Sequence, residues 1–88
     1  LNTSVVVPMQ QFTVDEAALN AYISEQIRAA RLRVGLSQRQ IELALGMAES
    51  TFSRYESGQR MISAAALCRI AAVLNMTPSA FLPSAELS

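Results

Sequence analysis

Arginine and carboxylate are the only side chains in this 88-residue sequence that carry charge near neutral pH, seven of each, because it contains neither lysine nor histidine. All seven arginines lie between Arg28 and Arg69, a stretch that also holds Glu42, Glu49 and Glu56; seven against three leaves it at +4. Asp15, Glu16 and Glu25 give the first 26 residues −3, and Glu86 is the last acid. Such asymmetry predicts a basic face beside an acidic appendage. A guanidinium is permanently charged and presents a rigid fork of donors, which suits carboxylate or phosphate partners. The central glutamates are seven residues apart and fall on two different predicted helices, so no pair is set for acid–base work. Without histidine, and with Cys68 alone, there is no zinc set, no histidine general base and no disulfide framework. No glycine-rich loop could cradle a phosphate. The chemistry predicted is therefore non-enzymatic, with no metal and no cofactor, and Cys68 reads as a small buried hydrophobe.

Apolar residues make up 51% of the sequence and aromatics 6%, with three glycines and three prolines. Alanine and leucine dominate, which predicts one all-α domain built on close helix packing. An unbridged small domain fits a reducing cytoplasm. No apolar run approaches the ~20 residues of a membrane span. The N-terminus lacks the pattern of a secretory signal, and a start at Leu1 suggests trimming.

The elements follow from caps and periodicity. Residues 1–12 (LNTSVVVPMQQF) form an N-terminal arm, frayed or ordered, whose apolar side chains Met9 and Phe12 would favour burial, for instance against a second subunit. Thr13 and Glu16 have capping-box spacing, so a helix should start near Val14. Its stripe runs Leu19, Ile23, Ile27, Ala30, Val34 and ends at Gly35, about 30 Å in all unless it breaks near Ser24. Ser37 and Gln40 repeat the box and open a second helix, with Ile41 and Leu45 inward and Gly46 as its stop. A third helix is expected over residues 49–57 behind Ala48, which offers no capping oxygen; Phe52 and Tyr55 face inward and Gly58 ends it. Ser63 caps a fourth helix that buries Leu67, Ile70, Ala71 and Leu74, and Asn75 suits a left-handed end. Thr77 and Pro78 open a short fifth helix through Phe81 and Leu82, stopped by Pro83. Met47, Met61 and Met76 read as gap-fillers. The domain should span 13–83, with a loose tail at 84–88.

From about Ile27 to Leu82 the residues RAARLRVGLSQRQIELALGMAESTFSRYESG and ISAAALCRIAAVLNMTPSAFL resemble the Cro and phage-repressor type of helix-turn-helix domain. A whole register agrees: Arg31, Gly35-Leu36-Ser37-Gln38, Ile41, Gly46, Phe52 and Glu56-Ser57-Gly58. Three positions depart from it. Glu42 stands where alanine usual to the family packs, Ala48 replaces a polar cap, and Ile62 replaces a proline.

The resemblance implies a five-helix repressor-like domain, extended at its first helix and N-terminal arm, whose third helix enters the major groove of double-stranded DNA. It implies base reading by Glu49, Ser50, Ser53 and Arg54. Arg54 suits guanine, or else a phosphate; Glu49 suits a cytosine amino group, or else stabilises the helix start. Gln38, Arg39, Thr51, Gln59 and Arg60 are implied phosphate contacts, and Arg31 with Glu56 a structural ion pair. The function implied is a bacterial or phage transcriptional regulator, such as a repressor, that binds a palindromic operator as a homodimer. Leu19, Tyr22, Ile23, Phe81 and Leu82 are candidate dimer residues. A competing reading is an antitoxin or interaction module that binds a protein partner through the N-terminal segment.

Overall fold

The computed structural model describes residues 15–83, and the predicted arm, Thr13 and the tail lie outside that span. Four α-helices follow one another: α1 (Glu16–Val34), α2 (Gln38–Leu45), α3 (Thr51–Ser57) and α4 (Ala64–Val73). A single 3-10 turn, Pro78–Phe81, closes the described region, and no strand occurs among the described residues. The fold is all-α as expected. The expected fifth helix is only that one 3-10 turn, and Thr77 makes no side-chain cap there.

Asp15, not Thr13, caps α1, its carboxylate accepting the Ala18 N–H at 3.1 Å. The helix runs unbroken through Ser24 to Gly35, which sits at φ 85° where a Cβ would be strained. The Ser37 box is formed as predicted: Ser37 Oγ accepts from the Gln40 N–H and Gln40 Oε1 accepts from the Ser37 N–H. Ser63 likewise caps α4 through the Ala66 N–H, and Asn75 takes a left-handed φ of 58°.

The core joins Ile23, Ile27 and Ala30 of α1 to Ile41 of α2, Phe52 of α3, Leu67, Ile70 and Ala71 of α4, then Leu74 and Phe81. Three expectations fail at its edge. Val34 is exposed because α1's last turn runs past the core. Cys68 is exposed, since the buried side of α4 is set by residues 66, 67, 70, 71 and 74 and position 68 turns away from it. Met61 is exposed, while Met47 and Met76 do pack against the core. Phe81 is consumed by the core and has no surface to give a dimer, and Ile23 keeps only 8% exposure; Tyr22 and Leu82 stay exposed.

Phe81 is fully buried although it stands on the shortest element. Phe81→Ala should destabilise the domain by about 3–5 kcal/mol, read as a fall in the urea midpoint at unchanged slope.

Candidate nucleic-acid interface

The seven residues of α3 are too few to hold a helix alone in water. Its start is irregular. The helix begins at Thr51 rather than Glu49, so Glu49 and Ser50 precede it, and Ser50 occupies the cap position at φ 75° with no side-chain cap bond. The missing cap is supplied from α2. The buried Glu42 carboxylate accepts the Phe52 N–H at 2.9 Å through Oε2 and pairs with Arg39 at 3.1 Å through Oε1. The cap is thus Ser50 and not Ala48 as expected, and Glu42, a residue that departs from the family pattern, supplies the bond that the Ser50 side chain does not make.

The other end of α3 is tied to α1. Arg31 donates from Nε to Glu56 Oε2 at 2.6 Å and from Nη2 to Glu56 Oε1 at 3.1 Å, the two-pronged pair that the resemblance implies. Its Nη1 reaches the Leu36 carbonyl at 2.9 Å. Gln38 adds a third donor to Glu56, Nε2 to Oε1 at 2.8 Å. Ser24 Oγ donates to the Tyr55 carbonyl at 2.7 Å. Asn20 accepts from the Ile62 N–H at 3.0 Å and donates to the Arg60 carbonyl at 3.4 Å. Asn20, Ser24, Ile27 and Arg31 step four, three and four along α1, so one helix face grips both α3 and the loop after it.

These ties leave one surface open. Gln38, Arg39, Glu42, Glu49, Ser50 and Ser53 line a notch of about 200 Å³ between α2 and the start of α3. Five of the nine residues implied in nucleic-acid contact are brought together there. Thr51, Arg54, Gln59 and Arg60 lie outside the notch. Arg54 is exposed and forms no ion pair among the described residues. Arg60 lies over the Tyr55 ring, 5.8 Å from its centroid, a placement that orients its charge. Ser53 Oγ donates to the Ser50 carbonyl at 3.0 Å, which leaves its lone pairs to accept. Within the box of α2, the backbone N–H groups of Gln38 and Arg39 have no acceptor among the described residues.

Residues 23–81 match the family model described as helix-turn-helix domain. The chain belongs to the helix-turn-helix domain family. Its fold is similar to that of a hypothetical transcription factor, NHTF, from Neisseria, at 23% identity and a TM-score of 0.71, with 84% of this chain and 85% of that one covered. It is also similar to an HTH_3-family transcriptional regulator from Vibrio cholerae, at 25% identity and a TM-score of 0.70, covering 76% of this chain and 38% of that one. Apo-HppE matches at 25% identity and a TM-score of 0.67, covering 75% of this chain and 37% of that one. The chain therefore spans well under half the length of the last two. No curated protein matches it.

Within this helix-turn-helix, sequence reasoning missed the roles of Glu42, Asn20 and Ser24. Each had a signal, a polar residue at a position that the helical period turns inward, where only a hydrogen-bonded group is tolerated.

Two outcomes follow. Glu56→Ala strands the buried Arg31 guanidinium and should cost about 3–5 kcal/mol in chemical denaturation. Burial pushes the Glu42 carboxyl up, but the Phe52 N–H, the Arg39 guanidinium and the Ser50 amide outweigh it, so its pKa lies below the usual value of 4.5. A depressed folded pKa adds stability above the unfolded pKa that is lost as pH falls through the folded one. Acid titration followed by circular dichroism should show Glu42→Gln less stable than the parent above pH 4.5, the two converging below it.

Proposed function

We propose that this helix-turn-helix chain is a sequence-specific DNA-binding transcriptional regulator that docks the α2–α3 notch and α3 in the major groove and binds a palindromic operator as a dimer. The observation that carries the reading is the sorting of polar groups. Glu42 and Glu56 are drawn inward as braces, while Glu49, Ser50 and Arg54 stand exposed around the start of α3. Removing two of three local carboxylates from the surface lowers the repulsion that phosphates would meet.

Ser53, half-buried in the notch, joins those three as a base reader, and Arg54 supplies the two-pronged donor that suits guanine. The free amides of Gln38 and Arg39 stand at the start of α2, where a phosphate is favoured by the helix dipole. Gln38's side chain is held by Glu56, so its contact comes through that amide. Arg39, Thr51, Gln59 and Arg60 extend the clamp. One seven-residue helix reads few base pairs, and two copies about one DNA turn apart supply the missing specificity. Tyr22 and Leu82 remain available to such a contact.

Selection of bound duplexes from a random pool tests this reading. It should return a two-fold symmetric site, and a pool without any enriched sequence would refute it. On the selected site, Arg54→Ala should cost about 1–3 kcal/mol and relax preference at one position per half-site. Arg60→Ala, at a guanidinium that takes no part in the carboxylate braces, should weaken all sequences alike and reduce the salt slope by about one per half-site.

A further inference from the structure

A second concavity lies away from the α2–α3 notch, where the first turns of α1 meet the loop before α4. It measures about 310 Å³ and is lined by Glu16, Leu19, Asn20, Ile23, Met61 and Ile62. Its chemistry is apolar. Asn20 spends its amide on Arg60 and Ile62, which leaves Glu16 at the rim as its one charged group. Met61 is 56% exposed at the edge, so its apolar side chain is accessible to an occupant of the groove.

The chain carries a matching occupant. Residues 1–14, LNTSVVVPMQQFTV, contain no charged side chain, whereas the whole sequence holds fourteen, seven of each sign. They hold the apolar side chains Val5, Val6, Val7, Met9 and Phe12. The cap fixes where this segment meets the helix. With Asp15 at the cap, Val14 falls at the position before it and Leu19 at the fourth helical position, the register of a hydrophobic staple. Leu19 is a wall of the groove. Phe12 lies only three residues before Asp15, so closing it onto its own groove costs little loop entropy. At that tether length its own groove competes well with a second copy for the segment.

We propose that the groove between α1 and the loop before α4 is a docking site for this chain's own N-terminal segment, with Phe12 and Met9 seated against Leu19, Ile23, Met61 and Ile62. The docked segment braces the loop that carries Gln59 and Arg60, and the proposal stands whether or not those two contact DNA.

The sequence has no tryptophan, so Phe12→Trp in the full chain places a single indole reporter in the segment. Its emission should be blue-shifted and shielded from acrylamide, and both properties should hold across a wide dilution series. Adding Met61→Glu, at an exposed position that the core does not use, should shift the emission to the red and raise quenching several-fold, with helicity by circular dichroism unchanged. A solvent-like emission in the Phe12→Trp chain would overturn the proposal. So would shielding that disappears on dilution, which assigns the groove to a second copy, or shielding that survives Met61→Glu, which places the segment elsewhere.

Discussion

Two buried carboxylates hold a helix that could not hold itself. Glu42 closes the start of α3 by accepting the Phe52 N–H, and Glu56, near its end, takes donors from Arg31 and Gln38. A helix of two turns has almost no intrinsic stability, so its position is whatever its surroundings impose. Phe52 supplies the apolar anchor at 0% exposure, and the carboxylates fix rotation and tilt about it. Burial of an ion is costly unless its lone pairs are satisfied, and here every buried side-chain polar atom of the described residues has a partner. The brace is therefore stiff, and it would be badly disturbed by the loss of one partner.

Such stiffness bears on the proposed reading of DNA. Groove contacts depend on hydrogen-bond geometry, so a recognition element benefits from being seated before it binds. The polar line Asn20, Ser24 and Arg31 on α1 extends that seat beyond α3 to the loop at residues 60–62. Most of the buried polarity in the domain thus serves one purpose, to hold α3 and its flanks against α1 and α2. The apolar core beneath, drawn from all four helices and Phe81, keeps those helices together.

Much of the fold was legible because it depends on local chemistry. Ser37 with Gln40, Gly35, Gly46, Gly58, Ser63 and Asn75 behave as their types require, since caps and left-handed turns are decided by a residue and its near neighbours. Inward faces at Ile27, Ile41, Phe52, Leu67, Ile70 and Leu74 followed from period alone. Where the reading failed, a contact distant in sequence had intervened. Cys68 is the exception, because it turns out of the face that α4's own period sets. Ala48 is not the cap that the sequence suggested, since the cap position falls at Ser50, and nothing local announced that a carboxylate ten residues before Phe52 would take over the task.

The sequence by itself determined an all-α helix-turn-helix chain, the turns that divide it, the Arg31–Glu56 pair and the stretch that carries the exposed polar side chains. Periodicity and capping are short-range, and a family register transmits the rest. Only the tertiary structure decided that α3 begins at Thr51, that Glu42 is its cap, that Gln38 is shared with Glu56, and that Asn20 and Ser24 belong to the same brace. Each of those depends on the angle at which one helix crosses another. That angle is set by the packing of the whole core, which no short window of residues contains.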